Sequence, residues 1–237
     1  VIIDTSNPSA PSVVADIVDP AVTLHHQADP VDIGDRTFLI VNDELAGAAG
    51  NEVCPGGGLH VYDITDEASP QKVGAFFAPE VTVAEGARTG IGGAITCTAH
   101  VFRIYEEQQL LTIAWFGAGV RVIDLSGLAD TPPVSAGLGG ETLTPGMREV
   151  GFYRDPVDSD AWAAKVFAFE ADGSAYLFSN DQTRGLDIYR YDATVPASSS
   201  SSGRWLSAEA ALQRTLGLRA SGFEALDRPY CDLRGRL

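Results

Sequence analysis

The four histidines and three cysteines of this 237-residue chain are its most chemically active side chains. His25 and His26 precede one apolar run and His100 precedes another, while Asp43 and Glu44 close a third. Imidazole combined with carboxylate is a ligand set for zinc, copper or non-haem iron. No His-x-x-x-His spacing joins these residues, so only the fold can assemble them. The expected metal site is His25 or His26, His100 and a carboxylate from Asp43 or Glu44. The competing reading is that these histidines plug a channel and hydrogen-bond to backbone. Cys54 and Cys97 also carry two readings. One is a thiol or copper–thiolate centre beside His100. The other is a disulfide between neighbouring units, the preferred state in an exported protein. It would close a loop of 43 residues, worth about 3–4 kcal/mol in the chain-entropy view.

Other patterns do not develop into sites. Gly56-Gly57-Gly58 and Gly90-Ile91-Gly92-Gly93 are not followed by a helical pattern, so neither is a dinucleotide or phosphate loop. No serine sits in a nucleophile elbow. Asp29, Asp32 and Asp35 lack the full calcium-loop pattern and read as a solvated loop. Trp115, Phe116 and Tyr176 read as core and channel packing.

The formal charge of −16 and pI of about 4.4 argue against a nucleic-acid surface, where Lys and Arg must displace counterions from phosphate. They equally disfavour an anionic lipid surface. No apolar run approaches the length of a membrane span. Hydrophobic residues at 45% and charged residues at 20% are the balance of a packed core. Few lysines and abundant Asp, Ala, Ser and Gly suit an exported protein.

What must position the candidate residues is a repeated phrase. It reads Val1-Ile2-Ile3-Asp4-Thr5-Ser6-Asn7-Pro8, then Gly58-Leu59-His60-Val61-Tyr62-Asp63-Ile64-Thr65, then Gly119-Val120-Arg121-Val122-Ile123-Asp124-Leu125-Ser126, and in worn form Gly185-Leu186-Asp187-Ile188-Tyr189-Arg190-Tyr191-Asp192. Asp4, Asp63 and Asp124 lie 59 and 61 positions apart, a period that marks one supersecondary unit used repeatedly. Each Asp is expected to accept hydrogen bonds from the N–H groups of the following turn. Arg190 holds that place in the last phrase, so that turn is expected to close another way. Ahead of the full phrases run paired β-branched and aromatic segments, such as Thr37–Asp43, Gln109–Trp115 and Ala175–Asp181, with turns at Asp32–Asp35, Glu106–Gln108 and Ala171–Ser174. A further short strand follows at Gln71–Phe77 and at Arg148–Tyr153. The unit is thus four antiparallel strands, and the expected fold is an all-β propeller. Immunoglobulin-like sandwiches are the runner-up, but need about seven strands per domain.

The phrases "Val-Ile-Ile-Asp-Thr-Ser-Asn-Pro-Ser-Ala-Pro" and "Leu-His-Val-Tyr-Asp-Ile-Thr-Asp-Glu-Ala-Ser-Pro" resemble the LVIVD repeat family over roughly the first 190 residues. The resemblance implies a β-propeller and a bacterial or archaeal protein that is exported or surface-associated. It says almost nothing about activity. The long stretch Asp130 to Gly146 and the worn last phrase depart from the family pattern.

Residues 1–193 are read as propeller blades, 194–206 as a Ser-rich linker, and 207–237 as a tail with a short helix over Ser207–Leu218. About 3.5 blades are present, and propellers close with about four to eight. Additional blades ahead of Val1, or a protein partner, are therefore expected to complete the ring, and Val1 is expected to lie inside a longer product. In a blade, the loop entering strand one and the loop leaving strand two share one face. That rule places Asn42, Trp115, Lys165, Asn180 and Asp181 on the histidine-bearing face as a ligand surface. The leading functional reading is an extracellular or cell-surface bacterial binding or assembly module. The alternatives are a metal- or thiol-dependent oxidoreductase or hydrolase at the channel mouth, with zinc, copper or iron, and a structural subunit of a surface layer or filament. Propellers of related appearance, of the selenium-binding and methanethiol oxidase type, make an oxidoreductase conceivable.

Overall fold

The computed structural model describes residues 1–22, 24–44, 58–78, 99–133, 146–155 and 159–194. These residues are mostly strand. β1 (Ile2–Asp4) and β2 (Ser12–Ala15) form an antiparallel pair. A first full sheet follows in the order β3 (His25–Ile33), β4 (Arg36–Asp43), β5 (Gly58–Asp63) and β6 (Gln71–Phe76). The second sheet runs β7 (Phe102–Tyr105), β8 (Leu110–Ala114), β9 (Val120–Asp124) and β10 (Arg148–Tyr153), and the third runs β11 (Ala161–Phe169), β12 (Ala175–Asp181) and β13 (Gly185–Tyr191). Every pairing is antiparallel between chain neighbours. Among the described residues the sheets close into neither a barrel nor a ring. No helix among them is long and apolar enough to cross a membrane.

The turns follow from local chemistry. β3 and β4 are joined through Gly34 at φ 67, with Ile33 paired to Arg36. β7 and β8 are joined by a 3-10 turn over Glu106–Gln108 that ends in Gln109 at φ 51. Asp4, Asp63 and Asp124 accept the N–H groups of Ser6, Thr65 and Ser126 at 2.8, 2.9 and 2.9 Å. Each Asp thereby satisfies a backbone donor that the strand has stopped using. In the last sheet the same bond comes from Asp192, which accepts Thr194 N–H at 3.0 Å. β13 is simply one pleat longer, and a two-residue shift returns the Asp to the same side. The expectation that the final turn uses other chemistry is therefore corrected. Arg190 instead pairs with Glu170 at 2.6 Å and lies over the Tyr176 ring. A second correction concerns Asp29 and Asp32, which lie on β3 rather than in a loop. Pro30 is tolerated on that strand because β3 is the edge of its sheet.

Strand alternation sends the two sides of each sheet to different neighbours. Phe38 and Ile40 of β4, with Leu59 and Val61 of β5, pack against Phe102, Leu111, Ile113 and Ile123 of the second sheet. Leu39, Val41 and Tyr62 face the other way, onto Ile2 and Ile17 beside the β1–β2 pair. Val122, Val166, Ala175 and Leu177 join the second sheet to the third. The order is strand pair, first sheet, second sheet, third sheet, each stacked on the next. Full burial of one such apolar side chain contributes about 1.5–3 kcal/mol. Polar staples fix the same interfaces: Thr112 Oγ1 donates to Ala164 O at 2.7 Å.

Candidate functional site

At one end of the strands three titratable groups meet across the interface of the first and second sheets. Glu44 continues the β3–β4 pairing by one bond, its N–H donating to Leu24 O at 2.9 Å. Alternation along β4 puts Glu44 on the same side as Asn42, toward the second sheet. His26 reaches that side through a β-bulge, since His25 pairs with Asp43 and Gln27 with Asn42, leaving His26 as the extra residue. Bulges re-aim side chains in this way. His100 comes from the neighbouring sheet, just ahead of β7, held by its N–H bond to Ala114 O at 2.9 Å. His26 Nε2 lies 3.4 Å from Glu44 Oε2, and His100 Nε2 lies 3.8 Å from Glu44 Oε1. One ligand atom from each of the three residues falls within 4.8 Å of the others.

The surroundings set the electrostatics. The side chains of Glu44 and His100 are 4% and 1% exposed, that of His26 16%. Burial, with Asp43 beside it, pushes the Glu44 carboxyl up to about 8. Burial pulls His100 down to about 4, against the bond to Trp162 and with help from His26. His26 is lowered for the same reason. The Trp162 carbonyl can only accept, so the 2.5 Å contact makes His100 Nδ1 the donor and leaves Nε2 with a lone pair facing Glu44. Trp162, Phe116 and His26 surround the His100 ring at centroid distances of 4.3, 4.9 and 4.7 Å. The arrangement can accept a cation or exchange a proton within an apolar box.

Two amides hold the two halves in register. Gln27 Nε2 donates to Phe102 O and Gln27 Oε1 accepts Phe102 N–H, both at 3.0 Å. Asn42 Nδ2 donates to Ala99 O at 3.2 Å and His100 O at 2.5 Å, while its Oδ1 accepts Gln27 N–H at 2.8 Å. Asn42, expected on a ligand surface, is wholly buried and clamps the two sheets together; Gln27 was not expected at all, because an amide staple has no local signature.

A second polar cluster occupies the opposite side of the first sheet, against the strand pair. Lys72 Nζ contacts Asp19 Oδ2 at 2.5 Å, His60 Nδ1 at 2.8 Å and Tyr62 OH at 3.4 Å. Tyr62 OH donates to Asp19 Oδ2 at 2.6 Å, and Ala21 N–H donates to Asp19 Oδ1 at 2.9 Å. Lys72 and Asp19 are fully buried. Burial pushes the Asp19 carboxyl up, but the Lys72 charge and the bonds from Lys72, Tyr62 and Ala21 outweigh it, and the group sits below its usual range. The charged and titratable groups around it are Lys72, His60, Tyr62 and, through space, His25. A depressed folded-state carboxyl contributes stability that is complete above its unfolded value near 3.8 and is lost as pH falls through the folded value. Urea midpoints followed from pH 6 to pH 2 should therefore fall steeply below pH 4, and Asp19→Asn should flatten that limb; an unchanged limb would remove Asp19 from the acid response.

The remaining predicted positions disperse. His25 pairs with Asp43 across β3 and β4, on the side away from His100. Asp43 Oδ1 accepts Leu24 N–H at 2.5 Å. Trp115 is fully buried beside Phe76 in the core. Lys165 and Asn180 point outward from the third sheet, and Asp181 accepts Asp160 N–H and Thr183 N–H at 2.8 and 2.9 Å. Cys54 and Cys97 lie outside the described residues, as do Cys231 and the whole of the tail after Thr194. His60, Tyr62, Lys72 and Asp19 were missed as a group. Only the pairing of Tyr62 with Lys72 across β5 and β6, invisible without register, brings them together. No family model, curated protein or solved structure matches the chain.

Proposed function

We propose that this chain is a stretch of β-propeller serving as a binding and assembly module at the surface of, or outside, a bacterial cell. The stacking of sheets in series, each with the phrase Gly-Val/Leu-x-Val/Ile on its third strand, supports the propeller reading, and the resemblance to LVIVD repeats adds to it. One observation carries the assembly half. The outward face of the third sheet exposes large apolar side chains among Lys165, Asn180 and Arg190, with Phe167 at 94% and Leu186 at 68% exposure beside Ile188, Tyr176 and Phe178. Register lines these residues up: Phe178 opposite Ile188, and Asn180 opposite Leu186. The inner sheets bury faces of this kind against a neighbour, and uncovered apolar patches mark interaction surfaces.

The occupant that fits is a sheet of the same build, supplied by a second copy of this chain. The outward face of the β1–β2 pair offers one, with Ile3 paired to Val13 and both exposed. An end-to-end contact of this sort is heterologous and closes into a ring when the rotation per copy allows. Light scattering on the purified chain should give a mass above that of the 25.0 kDa monomer. The pair Phe178→Asp and Ile188→Asp should return it to monomer without loss of strand signal. A wild-type monomer at high micromolar concentration, or an oligomer indifferent to both substitutions, overturns the assembly half. A second reading, a metal-dependent oxidoreductase or hydrolase, is favoured by the meeting of His26, Glu44 and His100.

A further inference from the structure

We infer that His26, Glu44 and His100 form a binding site for one divalent transition-metal ion. The inference deepens the second, metal-dependent reading above by naming its ion, rests on that reading, and is independent of the assembly reading. His26 Nε2, a Glu44 carboxylate oxygen and His100 Nε2 are the ligand atoms. Ligands on a tetrahedral ion with bonds of about 2.1 Å lie about 3.4 Å apart. The carboxylate reaches both imidazoles, one oxygen to each, with Oε2 3.4 Å from His26 Nε2 and Oε1 3.8 Å from His100 Nε2, both near that value. The three-atom group spans at most 4.8 Å, so the ion needs only a small inward rotation of the imidazoles.

Three further observations favour an ion over a packed polar patch. His100 Nε2 is buried and makes no hydrogen bond, and a buried polar atom left unpaired is expensive. The Trp162 carbonyl fixes the tautomer that presents this nitrogen as a lone pair. That is the arrangement by which a carbonyl behind a histidine orients it toward a metal. The ligands also come from two sheets already clamped by Gln27 and Asn42, so the geometry exists before any ion arrives. Two imidazoles and one carboxylate exclude the hard ions calcium and magnesium as preferred guests. They match zinc or ferrous iron, with at least one coordination position left for water or a substrate. His26, the most exposed of the three, lies on the side open to solvent.

The test uses the untagged full chain, stripped with chelator and with its cysteines alkylated. Zn²⁺ is titrated by calorimetry and Co²⁺ by visible absorption. One equivalent of Zn²⁺ should bind with micromolar or tighter affinity, and Co²⁺ should give the intense d–d bands of a four- or five-coordinate site. Mg²⁺ should compete with neither. Glu44→Gln, which keeps the shape of the side chain, and His100→Ala should each weaken Zn²⁺ at least tenfold while circular dichroism stays unchanged. If His100→Ala fails to fold, Glu44→Gln decides. No stoichiometric binding of either ion, or equal affinity in wild type and Glu44→Gln, overturns the site. The mass of the same samples reports assembly separately: a monomer that binds Zn²⁺ sinks only the assembly proposal, and an oligomer that does not sinks only this one.

Discussion

Lys72→Ala is expected to destabilise the fold by about 3–5 kcal/mol, the loss seen when one partner of a buried ion pair is removed. The reason is the closed accounting of its ammonium group, whose donors go to Asp19, His60 and Tyr62. Neither the Lys72 nor the Asp19 side chain is exposed. With the ammonium gone, Asp19 keeps bonds from Tyr62 and Ala21 but holds a carboxylate with no counter-charge. His60 Nδ1 loses its donor as well. A second outcome follows when both charges of the pair are removed together. Lys72→Met combined with Asp19→Leu should recover most of the loss, because well-packed apolar residues replace an ion pair at little cost. Denaturant unfolding with linear extrapolation measures both. A single-mutant loss under about 1 kcal/mol would show that water reaches the cluster and that the strand pair does not seal it. The cluster also ties the strand pair to the first sheet, so amide exchange in β1 and β2 should rise in Lys72→Ala before it rises elsewhere.

Gly119→Ala is the second large effect, expected to cost at least about 3 kcal/mol. The glycine opening each full phrase has a left-handed backbone: φ is 136 at Gly58, 84 at Gly119 and 88 at Gly185. An alanine at positive φ alone costs roughly 1–2 kcal/mol. At Gly119 the new Cβ would also stand 2.1 Å from Tyr153 O and 2.8 Å from Arg154 Cα. Those are backbone atoms at the end of β10, so relief requires moving a strand end. Gly185 has nothing within 4 Å of the same Cβ, and Gly185→Ala should show the torsional cost alone. Comparing the two by thermal unfolding separates strain from collision. Equal losses would mean that β10 yields freely at its end.

The repeated phrase carried the strand plan because its information is local. A glycine at positive φ, a run of alternating apolar residues and an Asp that closes the turn act within a few positions of one another. The fourth strands at Gln71–Phe76 and Arg148–Tyr153 could be read for the same reason. The last turn was expected to close another way because Arg190 holds the Asp place; β13 carries two more residues than the phrase, and Asp192 closes the turn as the other aspartates do.

The site divides along the same line. The sequence by itself determined that His26, Glu44 and His100 would lie at one end of the strands, since strand starts and strand ends fix that much. It could not choose between His25 and His26, or between Asp43 and Glu44. Tertiary structure decided both. Alternation with period two sends neighbouring residues to opposite faces, and which face meets the second sheet depends on stacking. A single bulge at His26 reversed the side that its position would otherwise dictate. Lys72, Asp19, Tyr62 and His60 lie further from sequence-level reading, because their partnership exists only where a strand pair and a sheet press together and exclude water. Burial and register are properties of the assembled stack, and those two quantities turned scattered side chains into one candidate metal site and one sealed ion pair.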